Sequence, residues 1–203
     1  HNPYDFLTEL GETSRGTPVS INSEVAECDL KIGIGSIVPH PMSGFGGGSK
    51  IISPGVASME TILHNHHILG GYGPGESPHP STGLARIEDN IIHLDMDETA
   101  RMAGLDVKID AVINFNRDPV GLFVGDFEAE FKKGADLAKE VYVTEPAENM
   151  DVVIANTYSK ANEAGIATLI GMFSVKGGGD LVIVVNAPDG QVTHYLYGKF
   201  GKK

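Results

Sequence analysis

Apolar and polar residues along the chain follow two periods, one typical of strands and one typical of helices. Residues 29–38 (DLKIGIGSIV) are apolar at alternate positions and become more apolar towards the end, which predicts a buried strand. Apolar residues recurring every three or four positions predict helices. The pattern predicts helices over residues 57–69, 88–103 and 127–139 and strands over residues 107–114 and 120–124.

A turn-rich, acidic stretch at residues 144–149 separates this region from a second pattern of elements. A strand is predicted over residues 151–155, a helix over 163–173 and a second strand over 181–185. A strand–helix–strand order with a short return implies parallel pairing. We therefore predict an α/β protein with parallel or mixed sheets flanked by helices. A larger domain over residues 1–146 is followed by the start of a second α/β domain over residues 147–203.

Composition and charge exclude several classes of protein. The net charge of −12 argues against nucleic-acid binding, which needs a basic surface. No run of 18 apolar residues is present, so a membrane-spanning helix is not expected. The single Cys28 cannot form an internal disulfide and favours a cytoplasmic location. The chain lacks an initiator Met and ends without an evident structural stop, which indicates a fragment of a longer polypeptide.

Candidate chemistry is concentrated in residues 39–67, which contain four of the eight histidines and, in Glu60, a single acidic residue. This segment begins just after the predicted strand 29–38, where ligands bind in open α/β sheets. Gly46, Gly47 and Gly48 precede Lys50 and predict either a backbone cradle for a ligand or a flexible connector. The loop is not a standard P-loop, because Lys50 is followed by isoleucine rather than serine or threonine. An ordinary ATPase is therefore disfavoured.

Helical spacing separates the three histidines at the end of the predicted helix 57–69. His66 shares the apolar face of Met59 and Ile62 and is expected to point inward, as a buried ligand or as a core histidine bonded to backbone. His64 and His67 are expected on a wetter flank. The spacing required for a zinc site of the His-Glu-x-x-His kind is absent.

Taken together, these residues resemble the signature of the nickel-pincer lactate racemase family, the LarA-like proteins. His40 is followed after nine residues by Lys50, then by Pro-Gly-Val-Ala-Ser at residues 54–58, and His66 lies sixteen positions beyond the lysine. The resemblance continues through residues 10–19 upstream and through residues 99–106 and 125–126 downstream.

The resemblance implies a racemase or epimerase, an isomerase that acts on a small 2-hydroxy acid. The family moves the α-hydrogen reversibly as a hydride onto a nickel-pincer nucleotide, a pyridinium dithiocarboxylate mononucleotide that holds nickel. It implies that Lys50 carries this cofactor covalently, that His66 binds the nickel, and that His40 is one of two acid–base groups. It further implies cofactor-biosynthesis enzymes as partners, whereas the oligomeric state is not indicated.

Some positions depart from the family pattern. Ser49 stands where lactate racemases usually have arginine, and residues 162–166 (NEAGI) replace the family's Tyr-Gln-x-x-Lys substrate motif. The family's second catalytic histidine and its carboxylate-binding arginine belong to a region that precedes His1. The departures imply a 2-hydroxy acid or sugar acid other than lactate, and we expect the fragment alone to be inactive.

Two other interpretations remain open from the residues themselves. In the first, the chain is a non-catalytic metal- or phosphate-binding α/β module in which Lys50 and the neighbouring glycines hold an anion. In the second, it is a soluble α/β domain whose histidines have no common role.

Overall fold

The computed structural model of the chain describes residues 2–188 and 190–191. The chain divides into two compact units, His1–Val143 and Thr144–Lys203. The strands are β1 (Leu7–Glu12), β2 (Pro18–Asn22), β3 (Ile32–Ser36), β4 (Pro39–His40), β5 (Gly44–Phe45), β6 (Val107–Ile113), β7 (Pro119–Gly125), β8 (Met150–Asn156) and β9 (Val175–Val184). The α-helices are α1 (Ser23–Ala26), α2 (Met59–Leu63), α3 (Ile91–Ala103), α4 (Phe127–Tyr142) and α5 (Ala164–Met172). Among the described residues, no helix has the length and apolar character needed to cross a membrane.

A three-stranded mixed sheet organises the first unit. Strand β6 lies in the middle, parallel to β3 and antiparallel to β7. Helix α4 packs on one face, where Phe131, Ala135 and Ala138 meet Val112 of β6 in a buried core. A second core cluster joins the β1–β2 hairpin to α3 through Val19, Ile21 and Ala100. The predicted α/β class with mixed sheets and flanking helices is confirmed.

The prediction of a buried strand over residues 29–38 is wrong in extent and in orientation. The strand covers only Ile32–Ser36, and Ile32 and Ile34 are 52% and 69% exposed. Successive side chains of a strand point to opposite faces, so that alternation alone does not say which face is covered. Here Gly33 is the one buried position of the strand, Gly35 is exposed, and the side chains of Ile32 and Ile34 point outward.

Capping residues set the bounds of the two long helices, α3 and α4. Helix α3 begins at Ile91 rather than at residue 88, because the Asn90 side chain accepts a hydrogen bond from His93 N. It ends at Ala103 and is capped by Gly104, whose φ of +69° suits the left-handed cap. Helix α4 is capped by Asp126 and continues three residues beyond the predicted end at residue 139.

The predicted helix over residues 57–69 changes type half-way. Helix α2 begins after Ser58, whose side chain accepts a hydrogen bond from Thr61 N, and ends at Leu63. Residues His64–Leu69 then form a π-helical segment. Such segments widen a helix locally and are frequent at functional sites.

In the second unit, β8 and β9 pair in parallel as predicted, and α5 joins them. Strand β9 begins at Val175, six residues before the predicted start, and includes the glycines at positions 177–179. The glycines interrupt the pairing: the register with β8 shifts between the Met150–Val175 and Val152–Asp180 pairs, and Gly178 has φ of +80°.

A candidate active site on the glycine loop and the π-helical segment

The glycine-rich loop connects the sheet to Lys50 and is closely packed. Strands β4 and β5 form a small antiparallel pair, and a 3₁₀ turn, Gly48–Ile51, follows. Gly47 has φ of +98°, and a Cβ atom there would lie 2.7 Å from Ile37 Cγ1 and 2.9 Å from Asp110 Oδ2. Both the backbone conformation and the available space therefore require glycine at this position.

Gly48 and Gly46 differ in what they require. Gly48 has φ of +53°, and a Cβ atom would lie 2.9 Å from the Phe131 ring, so this glycine is also required by packing. A Cβ atom on Gly46 would meet nothing closer than 3.4 Å, at Val38. The loop is thus a fixed structure that packs on α4 and β6, which contradicts the flexible-connector interpretation.

Lys50 lies near the end of the 3₁₀ turn and is half-buried. Burial lowers the pKa of its amine to about 8. Within the described residues, no carboxylate forms an ion pair with it. About a tenth of this lysine is therefore an uncharged, nucleophilic amine at pH 7, far more than for an ordinary lysine.

His40 is the last residue of β4, and backbone amides fix its ring. Its Nδ1 atom accepts hydrogen bonds from Ser43 N at 3.1 Å and from Met42 N at 3.3 Å, with Ser43 Oγ at 3.0 Å. Because backbone N–H groups only donate, Nδ1 carries the lone pair and Nε2 carries the proton. The described arrangement makes His40 a hydrogen-bond donor at Nε2.

His66 lies in the π-helical segment and is fully buried. Its Nδ1 atom is 3.0 Å from the carbonyl oxygen of Ile62, which only accepts, so Nδ1 carries the proton and Nε2 the lone pair. A carbonyl on the far nitrogen is the usual support for a metal-binding histidine, and it is also the usual partner of a core histidine. The prediction that His66 points inward is confirmed, whereas its role as a ligand is untested by this geometry.

A buried carboxylate fixes the residues beside His66. Asp95, on α3, is fully buried and accepts hydrogen bonds from Asn65 Nδ2 at 2.8 Å and from Thr17 Oγ1 at 2.9 Å. The Thr17 hydroxyl lies 2.9 Å from His64 Nδ1. Since that hydroxyl donates its proton to Asp95, His64 must donate to it from Nδ1. The network therefore ties the start of the π-helical segment to α3 and to the loop before β2.

Two residues that sequence reasoning missed, His93 and Asp97, lie on α3 beside the loop. His93 stacks on Phe131 with ring centroids 4.5 Å apart, and its Nε2 atom is 3.6 Å from Asp97 Oδ1. Burial and the positive charge of Lys50 lower the pKa of His93 to about 4. Burial raises the pKa of Asp97, opposed by the nearby Ser49, Arg101 and Arg15. The only sequence signal for either residue was a polar side chain inside an amphipathic helix.

Three further ionisable residues, Lys108, Asp110 and Glu130, are buried beneath the glycine loop. In the sequence they are a lysine and an aspartate in an alternating strand and a glutamate in a helix, a pattern typical of solvent-exposed positions. Their burial could not be predicted from that pattern.

Helix α3 is the element shared by the predicted site residues. It packs against the 3₁₀ turn that holds Lys50 and against the π-helical segment that holds His66. None of His40, Lys50 and His66 lines the cavity of 590 Å³ or the cavity of 490 Å³ in this unit. The second cavity is lined by residues that include His64 and His67, which confirms their expected place on the wetter flank.

The described residues contain no cluster of three or more histidine, cysteine or acidic side chains suited to a metal ion. This α/β unit thus combines a half-buried lysine on a closely packed glycine loop with a buried histidine on a neighbouring helical segment.

Comparison with known proteins identifies the family. Residues 1–72 match the model of the Lactate racemase N-terminal domain. The chain is 35% identical over 192 residues to the lactate racemase of Lactiplantibacillus plantarum, a match that covers 91% of this chain and 43% of the relative. It is 31% identical over 188 residues to that of Thermoanaerobacterium thermosaccharolyticum, covering 89% and 42%. The chain belongs to the lactate racemase family and spans less than half the length of these relatives.

Solved structures agree with this assignment. The lactate racemase apoprotein from Thermoanaerobacterium thermosaccharolyticum superposes with a TM-score of 0.78 at 29% identity, covering 94% of this chain and 46% of that one. A crystal structure of a Thermotoga maritima protein matches with a TM-score of 0.65 at 20% identity, covering 89% and 50%. The second likeness supports the fold alone.

Proposed function

We propose that this chain is the cofactor-bearing part of a racemase or epimerase that acts on a 2-hydroxy acid. The observation that carries the proposal is Lys50, a half-buried lysine with a pKa near 8 and no described acidic partner, on a loop whose glycines hold it in one place. The family supports the reaction class, since both curated relatives are lactate racemases.

Lys50 is the proposed attachment point of a nickel-pincer nucleotide. Covalent attachment requires the uncharged amine, and burial favours that form. The close packing of Gly47 and Gly48 removes the freedom that would otherwise let the lysine move away. The residues fit the group in this respect, because a charged, ion-paired lysine would not be a nucleophile.

His66 is the proposed nickel ligand. The proton on its Nδ1 atom leaves Nε2 as the donor atom, and imidazole nitrogen suits nickel. A single protein ligand fits a cofactor that brings its own donor atoms. When bound, that cofactor would supply the acceptor for the substrate's α-hydrogen, and the protein would position and shield it.

His40 is the proposed acid–base group for the substrate hydroxyl. The proton that the backbone bonds leave on Nε2 lets the neutral ring donate a hydrogen bond to the hydroxyl oxygen. To take the hydroxyl proton, Nε2 needs a lone pair, so the ring proton must lie on Nδ1, and the Met42 and Ser43 amides must then release that atom. The ring therefore has to exchange these bonds during a complete racemisation cycle.

Intact-mass measurement after co-expression with the cofactor-making enzymes tests the proposal. We expect a covalent adduct on the wild-type chain and on Lys132→Ala, an exposed control, and no adduct on Lys50→Ala. We expect His66→Ala to keep the organic adduct and to lose bound nickel. An unmodified wild-type chain would overturn the proposal.

A second experiment separates a racemase from an anion-binding module. The loss of the family's substrate motif at residues 162–166 favours the module. The full-length protein with bound cofactor would be incubated with a panel of 2-hydroxy acids in deuterated and ordinary substrate forms. Scrambling of configuration at the α-carbon supports the racemase. Bound cofactor with no scrambling for any acid supports the module.

A further inference from the structure

A buried ion pair lies beneath the loop that presents Lys50. Lys108 and Asp110 point inward from β6 and are 1% and 0% exposed, and Lys108 Nζ pairs with Asp110 Oδ1. The other oxygen, Asp110 Oδ2, accepts a hydrogen bond from Gly48 N at 2.6 Å. Asp110 therefore connects the central strand of the sheet to the first residue of the 3₁₀ turn.

Strand β3 leaves room for this pair. A Cβ atom on Gly35 would lie 2.9 Å from Asp110 Oδ1 and 3.1 Å from Lys108 Nζ. A Cβ atom on Gly33 would lie 2.9 Å from Lys108 Cδ. Two glycines on the neighbouring strand are thus needed for the charged side chains to lie where they do.

Glu130 completes the group from helix α4. It is only 4% exposed, and neither of its carboxyl oxygens has a hydrogen-bond donor within the described residues. A buried carboxylate without a donor is strongly unfavourable, and Lys108 already balances the charge of Asp110. The group is electrically neutral only when Glu130 carries a proton.

We propose that Glu130 is a positioning residue for the Lys50 loop: it keeps its proton at neutral pH and donates it in a hydrogen bond to Asp110. The carboxylic acid–carboxylate pair then holds Gly48 N, and with it the turn that carries Lys50. The functional meaning rests on the proposed role of Lys50, but the contact itself does not.

The charges around Glu130 support this protonation state. Burial and the adjacent Asp110 carboxylate, which is negatively charged and within hydrogen-bonding reach, raise the pKa of Glu130 to about 8, and Asp126 adds to the rise. Lys108 acts in the opposite direction. The position of Glu130 in the first turn of α4 also favours the charged carboxylate. Burial and the charge of Asp110 outweigh both this position and Lys108.

The proposal predicts how stability depends on pH. Glu130 binds its proton up to about pH 8 in the folded chain, whereas an unfolded glutamate loses it near pH 4.5. The folded state therefore binds more protons between these values, and its stability falls as the pH rises through this range. Between pH 6 and 7.5, the folded state binds about one proton more than the unfolded state. This difference raises the unfolding equilibrium constant about tenfold per pH unit.

Glu130→Gln is the decisive variant, because its amide still donates to Asp110 and does not titrate. Between pH 6 and 7.5, we expect the unfolding equilibrium constant of wild type to rise about tenfold more per pH unit than that of Glu130→Gln. Glu140→Gln, an exposed control on the same helix, should show the same pH dependence as wild type. Infrared spectroscopy at pH 7 should show a protonated-carboxyl band in wild type and Glu140→Gln that Glu130→Gln lacks. Equal slopes in wild type and Glu130→Gln, or no such band, would overturn the proposal.

Hydrogen exchange at the Gly48 amide tests the effect on the loop. At pH 7, we expect wild type and Glu130→Gln to protect this amide and Glu130→Ala to expose it, with exchange at least about tenfold faster. Unchanged protection in a folded Glu130→Ala would contradict a positioning role. If Glu130→Ala does not fold, the Glu130→Gln comparison still decides. None of these measurements requires cofactor, so that their outcome is independent of adduct formation on Lys50.

Discussion

The two faces of the β3–β6–β7 sheet depart from the usual distribution of polar and apolar residues in opposite ways. The face that α4 and the glycine loop cover contains Lys108 and Asp110, both buried. The opposite face carries Ile34, Leu122 and Val124, which are 69%, 67% and 59% exposed. A sheet with one covered face normally places its apolar side chains on that face and its polar side chains outward.

The difference indicates how much each face of the sheet contributes to the stability of the fold. Charged residues remain buried only where partners compensate them, and here Asp110 uses its partners to hold the loop before Lys50. The apolar side chains of the outer face gain little from the described part of the first unit. Substitutions on the inner face should therefore be costly, and those on the outer face should have small effects.

Removal of Lys108 should have the largest effect on stability. Lys108→Met leaves the buried Asp110 carboxylate without a counter-charge, and we expect a loss of about 3–5 kcal/mol in the free energy of unfolding. Urea denaturation measures the loss, with Lys132→Met on the exposed side of α4 as the matched control. A loss below about 1 kcal/mol would show that the inner face does not depend on this ion pair.

A paired truncation compares the faces directly. Val112, fully buried on the inner face, should cost about 1.5–3 kcal/mol when replaced by alanine, since the buried side chain leaves a cavity. Leu122→Ala on the outer face should cost no more than about 1 kcal/mol. Denaturation midpoints with a constant m-value provide the measurement. Equal losses at the two sites would contradict the asymmetry.

His93, which faces the loop from α3, should make the folded chain less stable in acid. Its pKa is about 4 in the folded chain and about 6.5 when unfolded, so the unfolded state binds more protons between these values. Stability should therefore fall as the pH decreases from 6.5 to 4, by up to about 1.4 kcal/mol per pH unit. His93→Phe should remove this contribution relative to wild type, and His79→Phe, at an exposed site, should keep it.

The rate at which Lys50 is acylated tests the burial of its amine, and this measurement does not depend on the free energy of unfolding. Amine acylation of Lys50 should reach half its maximal rate near pH 8, because burial lowers its pKa, whereas an ordinary lysine titrates near pH 10.4. Peptide mass spectrometry across a pH series follows Lys50 and the exposed Lys132 in one sample. Coincident profiles would mean that the loop does not bury the amine.

The sequence by itself determined the elements with strong periodicity and the family. Helices α3 and α4 and strand β6 follow from their apolar spacing, and the intervals from His40 to Lys50 and His66 indicated the lactate racemase family. The inward direction of His66 also followed from local spacing, because two residues three or four positions apart on a helix share a face.

Only the tertiary structure decided which face of β3 is covered, where α2 becomes π-helical, and which charged residues are buried. These features depend on contacts between distant segments: Gly48 and Asp110 are 62 positions apart, and Thr17 and Asp95 are 78 apart. Periodicity describes the two sides of an element but not what packs against each. For that reason, a lysine, an aspartate and a glutamate with the pattern of surface residues form the buried support of the Lys50 loop.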